Sequence, residues 1–313
     1  MKTFETCKIM TASKLIFFLF YSLVAPNALF GSENPRILVI NSNASVEKYR
    51  VAQVEFKKTL PHQVRETDLG KKKSTDIDEL LRYNPDLIYC IGAKAYFFTD
   101  KHFGKLNKPI VFSSIINWLR LPLSPKTFGV SNELHTRMPL MMFRYALPDI
   151  KKIGMLYSRQ YTGEWFEKSR DQARELKTEI IGKPVSDKKQ TMPALKQLIP
   201  DTDAVWLISD PLVMPKKKYL FNILKTCDAA KKPVFSYYDA FAKIGAVLIV
   251  SADNPTIGRQ AANIALEIIS GGKPDEKVQY PAGSSITLNL KKVEEYGLKY
   301  NKSFLGSINN IIK

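Results

Sequence analysis

Short apolar runs that do not alternate, separated by stretches of helical periodicity, occur in two successive rounds, and they constrain the fold of this chain more than any other feature. The first round has runs at residues 37–40, 87–91 and 110–112; the second has them at 153–157, 204–208, 233–235 and 246–250. Each is rich in β-branched and aromatic residues, and unbroken apolar character is expected of a parallel strand covered on both faces. Between runs, Phe166, Ala173, Leu176 and Ile180 share one helical stripe while Arg170, Asp171, Arg174 and Glu175 fall off it. Ile257, Ala261, Ile264, Ala265 and Ile268 repeat the pattern further on.

Strand and helix in alternation, with short connections, imply right-handed βαβ units and open sheets. The expected fold class is α/β with two doubly wound parallel-sheet lobes. At 313 residues the chain exceeds the roughly 100–200 residues of a single domain. No long charged or Pro/Ser-rich stretch separates the halves, so structured crossings are expected to join them.

The first 31 residues stand outside this pattern. Lys2, Lys8 and Lys14 make a basic start, residues 15–25 are almost uninterruptedly apolar, and Pro26, Asn27, Gly31 and Ser32 follow. That layout predicts a cleaved secretory signal over 1–31, although a clean small-residue cleavage pattern is missing. The apolar run is shorter than the about 20 residues that span a membrane; an uncleaved anchor or a buried helix is the alternative. Cys7 precedes the run and cannot be a lipidated residue after it, so no lipid anchor is expected.

Cys90 and Cys227 fall in different halves, where a disulfide would obstruct relative movement, and they are expected to be free thiols. His62, His102 and His135 show no ligand spacing, so no metal is expected, and no cofactor motif is present. The formal charge of +17 is spread along the chain, with basic runs only at 71–73 and 216–218. Solvated faces account for most of it, and no recognition-helix or basic-aromatic pattern points to nucleic acid.

Nucleophile elbows, phosphate loops, dinucleotide fingerprints and zinc-protease helices are all missing. The strand ends carry hydrogen-bonding and aromatic side chains instead. In the first half these are Ser42, Asn43, Gly92, Ser113, Ser114 and Asn117; in the second, Ser158, Tyr161, Trp165, Ser209, Asp210, Tyr237 and Asp239, with Asp253 further on. Open α/β sheets bind ligands at the carboxyl ends of their strands. Hydroxyls and helix N-termini suit a carboxylate, and an aspartate could hold an amino group. Ser42, Ser114 and Asp253 read equally well as helix caps, and the aromatics could simply pack between helix and sheet.

Particular residues carry a resemblance. Asn84-Pro85-Asp86-Leu87-Ile88-Tyr89-Cys90-Ile91-Gly92, Lys108-Pro109-Ile110-Val111-Phe112 and Phe128-Gly129-Val130-Ser131 run in an order similar to that of bacterial ABC-transporter substrate-binding proteins. The branch they resemble is the type I periplasmic-binding-protein-like group that includes binders of tryptophan and other aromatic amino acids. Leu147-Pro148-Asp149-Ile150, Lys232-Pro233-Val234-Phe235, Ile257-Gly258-Arg259-Gln260 and Ile286-Thr287-Leu288-Asn289 continue it over nearly the whole chain after the leader. Departures fall at Ser158-Arg159-Gln160-Tyr161, where many relatives are Asn-rich, and at Ser209-Asp210-Pro211, which keeps an acid and loses an amide.

The resemblance implies two lobes joined by three crossings, expected near Val130 and Ser131, near residues 236–238, and near Ala252 and Asp253. Residues 32–131 plus 238–252 would form the N-terminal lobe and 132–237 plus 253–313 the C-terminal lobe. It also implies a periplasmic monomer that closes on an amino acid or similar small zwitterion or carboxylate and delivers it to an ABC permease in the inner membrane. A sensory module serving a membrane signalling partner would share the cleft. An enzyme using Asp210 or Asp239 as a base would need a paired acid or nucleophile that the sequence does not display.

Overall fold

The computed structural model describes residues 34–71 and 75–313. The expected signal segment with Cys7, and Lys72 and Lys73 of the first basic run, lie outside the described residues.

The first lobe is built from β1 (Ile37–Asn41), α1 (Glu47–Thr59), β2 (Val64–Asp68), α2 (Ile77–Tyr83), β3 (Leu87–Ile91), α3 (Ala93–Phe103), β4 (Ile110–Ile115) and β5 (Thr127–Ser131). The second comprises α4 (Arg137–Ala146), β6 (Lys152–Tyr157), α5 (Arg159–Glu175), β7 (Glu179–Pro184), α6 (Thr191–Leu198), β8 (Ala204–Trp206), α7 (Lys217–Ala229), β9 (Val234–Ser236) and β10 (Leu248–Ala252). The chain then returns through α8 (Asn254–Ile269) and β11 (Val278–Gln279) to the first lobe. It ends in the second with β12 (Ser284–Asn289), α9 (Leu290–Glu295) and β13 (Asn310–Ile312).

One sheet runs β11-β5-β4-β3-β1-β2 and the other β13-β12-β10-β9-β8-β6-β7. All pairs are parallel except β10 with β12. The period of two along each strand sends alternate residues to opposite faces. Ile37, Val39, Leu87 and Tyr89 thus meet Phe56 of α1 and Ile257 and Ala261 of α8, while Leu38, Ile40, Ile88 and Cys90 meet Ala95, Tyr96 and Phe103 of α3. The second sheet divides likewise. Met155, Trp206, Phe235 and Val250 face α4 and α5, and Leu156, Val205, Val234 and Ile249 face α6 and α7.

Three of the expected assignments are corrected. Strand β10 pairs with β9 and β12, so residues 238–252 stay in the second lobe; the 3-10 segment Asp239–Ile244 buries Ala242 in that lobe's core instead of carrying the chain across. The crossing at Ala252 and Asp253 leads into the first lobe, where α8 packs along α1; Gly258 permits this, since a Cβ there would lie 2.4 Å from the Ala52 carbonyl oxygen. The third crossing is therefore at residues 280–283, between β11 and β12. Helix α5 stops at Glu175 because Lys177 turns the chain at φ 55°, and Ile180 belongs to β7.

Among the described residues no helix is long and apolar enough to cross a membrane. Cys90 and Cys227 are free and buried, one in each lobe.

Candidate ligand-binding site

A cavity of about 110 Å³ lies where the carboxyl ends of β4 and β5 face those of β8, β9 and β10. Both sheets aim their strand ends here, which is why loops of both lobes line it. The first lobe contributes Ile116 and Asn117, then Leu119 and Arg120 at the mouth, and the crossing after β5 contributes Asn132, Glu133 and Leu134. The second lobe supplies the aromatic walls: Tyr161 and Trp165 from α5, Trp206 from β8 and Tyr237 after β9.

These walls are braced from behind. Trp206 stands edge-on to Trp165 with centroids 5.0 Å apart and edge-on to Phe143 at 5.1 Å, and Phe143 stacks on Phe235 at 4.4 Å. Trp206 and Phe143 are buried core residues, so the ring that fronts the cavity has little rotational freedom. Val250, Ser251 and Ala252 close the floor from β10. The lining is thus mostly aromatic and aliphatic, with a few placed polar groups, as expected of a small-molecule pocket.

The polar groups converge at the β5 crossing. The Ser131 hydroxyl donates to the Glu133 carbonyl at 2.8 Å and accepts the Glu133 N–H at 3.0 Å, fixing the backbone just past the strand. That holds the Glu133 carboxylate where Asn117 N–H donates to its Oε1 at 3.0 Å. Burial pushes the Glu133 carboxyl above the ordinary carboxylate range, only partly offset by that bond. The Tyr237 hydroxyl is raised as well, chiefly by burial, with Glu133 adding to the effect. Asn132 Oδ1 is buried in the same wall without a hydrogen-bond partner among the described residues.

Contacts bridge the lobes around this space. Asn117 Nδ2 donates to the Ser209 carbonyl at 3.1 Å, with Ser209 Oγ at 3.4 Å. The Arg120 guanidinium lies 4.5 Å from the Tyr161 ring centroid, and Lys48 Nζ lies 5.7 Å from that of Tyr238.

Of the residues singled out from the sequence, Asn117, Tyr161, Trp165, Ser209 and Tyr237 line the cavity together. The others stand elsewhere with local duties. Ser42 Oγ accepts the Ala95 N–H at the start of α3, Asn43 Oδ1 accepts from Ser45, and Ser113 pairs with the buried Tyr89 hydroxyl at 2.6 Å. Gly92 at φ 83° is packed so that a Cβ would meet Ser42 Oγ at 2.7 Å. Ser114 is buried at the end of β4 with its hydroxyl unpartnered among the described residues. The Asp210 carboxylate accepts from Ser158 N–H and Oγ–H, Thr162 Oγ1–H, and the Leu212 and Val213 N–H groups, all within 3.0 Å. Asp239 accepts from Ser251 and Thr287, and Asp253 caps α8 by accepting the Thr256 N–H. Neither Asp210, Asp239 nor Asp253 borders the cavity.

Glu133, Asn132, Arg120 and Trp206 were not singled out. Trp206 reads as one more core residue of an apolar strand. Glu133 and Asn132 directly follow Ser131, in the segment expected to be the first crossing, and an acid beside an amide there was the available signal.

The family model described as ABC transporter substrate binding protein matches residues 53–312, and the chain belongs to that family. It is a family of binding proteins rather than of enzymes, and membership implies a small-molecule ligand and a transporter partner. A search of curated proteins finds no match. Among solved structures, the ABC domain in complex with L-Trp from Streptococcus pneumonia is 17% identical, with a TM-score of 0.59 over 88% of this chain and 100% of that one. A conserved domain protein from Vibrio cholerae is 16% identical, with a TM-score of 0.61 over 89% and 100%. The ligand-free, open form of a substrate binding protein with adhesive properties from Clostridium difficile is 14% identical, with a TM-score of 0.65 over 88% and 98%. At these identities they share the fold: two α/β lobes of the type I periplasmic-binding-protein kind.

Proposed function

We propose that this protein is the exported solute receptor of an ABC transporter, and that it captures a small organic ligand in the interlobe cavity by closing its lobes. The supporting observation is the cavity itself, in which braced aromatic walls from one lobe face polar loops of the other. A ligand there touches both lobes at once and so favours the closed arrangement by differential affinity, which is all that closure requires. An amino acid or similar small zwitterion with an apolar body fits such a lining, with Asn117, Tyr161, Trp165, Ser209 and Tyr237 as contacts. The closed monomer would then present its ligand to a membrane permease on the periplasmic side.

A thermal-shift screen of the chain from Ser32 onward, against amino acids, amines, nucleosides, sugars and small carboxylates, tests this. Ligand binding to the native state raises the midpoint by mass action. A saturable shift with one solute class, reduced by Trp165→Ala, is the expected result. No shift with any class, together with retention of a membrane signalling protein, would turn the reading to a sensory module.

A further inference from the structure

The inner end of the cavity is unbalanced in its hydrogen bonding. Its acceptors are available: one oxygen of Glu133 is engaged by Asn117 N–H, and Asn132 Oδ1 is buried beside it without a partner among the described residues. Three of its donors are committed. Asn117 directs its N–H to Glu133 and its amide NH₂ to Ser209, and the Thr162 hydroxyl donates to Asp210. The charge is unbalanced in the same sense. Glu133 and Arg120 are the formally charged lining residues, and Arg120 is exposed at the mouth with its guanidinium over the outer face of Tyr161.

We infer that Glu133 is the specificity-determining residue of the cleft, and that the ligand is a protonated amine on an apolar body for which a carboxylate is not required. The inference rests on the receptor reading and names its substrate class. An ammonium offers several donors, one for the free Glu133 oxygen and one for Asn132 Oδ1, and it supplies the countercharge that a buried carboxylate needs. The aromatic rings at Trp165 and Trp206 then pack against the apolar body, and their electron-rich faces add to the attraction for the cation. A carboxylate entering the same end would meet a like charge and an orphaned acceptor, and both are repulsive.

Isothermal titration of the chain from Ser32 onward with two matched series tests this: phenethylamine, phenylalanine and hydrocinnamate, and isopentylamine, leucine and isocaproate. In at least one series the amine is expected to bind no more weakly than the amino acid, and the acid to bind at least about tenfold more weakly, as loss of a charged hydrogen-bonded pair implies. Glu133→Gln keeps an oxygen for the Asn117 N–H and carries no buried charge, so it should fold with a ligand-free midpoint no lower than the parent's and lose amine affinity by about tenfold or more. Should that variant unfold, Asn132→Ala removes the second acceptor and is expected to weaken the amine severalfold. Binding of an acid as tightly as its amine, binding of an amino acid whose amine does not bind, or an amine affinity unmoved by both variants overturns the assignment. So does silence from both series while the wider screen shows a saturable shift with another solute, an outcome that leaves the receptor reading standing; silence in both defeats the two together.

Discussion

Glu133 and Asp210 are both carboxylates at the ends of strands, yet the molecule treats them oppositely. Asp210 is saturated by five short hydrogen bonds that tie the start of α5 to the turn after β8. Asp210→Ala would leave buried donors at Ser158, Leu212 and Val213 without their acceptor, at a cost of about 3 kcal/mol. A fall in the urea midpoint corresponding to that loss, with the same ligand class still preferred, is the expected outcome. Glu133 has one such bond, and its carboxyl is raised from 4.5 by burial. The folded protein therefore holds this proton over a range of pH in which the unfolded chain has released it. Stability is lost as pH rises from 4.5 through the raised value, and below 4.5, where both states hold the proton, there is no penalty. An amine needs the ionised form, so its affinity should rise through the same window, set also by the neighbouring Tyr237 and by Arg120 at the mouth. Titrations of phenethylamine across that range should show the rise in the parent and a flat profile in Glu133→Gln. From sequence the two acids were indistinguishable in kind. A carboxylate after a strand reads the same whether its donors come from a ligand or from its own backbone, and only the three-dimensional neighbours decide.

Elements show where legibility held and where it failed. The central strands β1, β3 and β4 were readable because each is covered on both faces and so opens with an unbroken apolar run. Strand β2 was not: Val64-Arg65-Glu66-Thr67-Asp68 lies at the sheet edge, half-exposed, and carries polar residues to suit. The helix and strand around residues 246–269 were recognised as elements but placed in the wrong lobes, because an apolar strand reads alike in either sheet and partnership is settled by the pairing of β10 with β12, which joins residues as far apart in the chain as Leu248 and Leu288. The end of β4 holds a detail no pattern discloses. Register shifts between Phe112 and Ile115, and Ser114 is driven to φ 59° with its hydroxyl buried and unpartnered among the described residues. Ser114→Gly would relieve the left-handed strain and the orphaned hydroxyl against a larger loss of chain entropy, for a net gain of about 1 kcal/mol. A higher urea midpoint at unchanged slope is the expected observation; a lower one would mean that the Ser114 hydroxyl is satisfied in solution.

Across the whole molecule the two lobes have separate cores but are not separate lengths of chain. Residues 132–252 lie between two segments of the first lobe, and α8 and β11, which complete that lobe against α1 and β5, sit between β10 and β12 of the second. Loss of the second lobe would release both tethers of α8 and leave Ala52 and Phe56 of α1 uncovered, so the lobes should unfold together despite their distinct cores. The cysteines offer a reporter in each. Cys90 lies on β3 and Cys227 on α7, both are wholly buried, and burial pushes both thiols up to about 12. At neutral pH each is therefore protonated as well as inaccessible, and labelling by an aromatic disulfide reagent must wait for the surrounding lobe to open. With Cys90→Ala and Cys227→Ala prepared separately in the chain from Ser32 onward, the remaining thiol should be inert in buffer. Each should become reactive over the same range of urea concentration as the loss of helical signal. Coincident transitions would establish that the three crossings couple the lobes in stability. Two resolved transitions would show that α8 holds its place on the first lobe without the second, and that closure and folding are governed by different contacts.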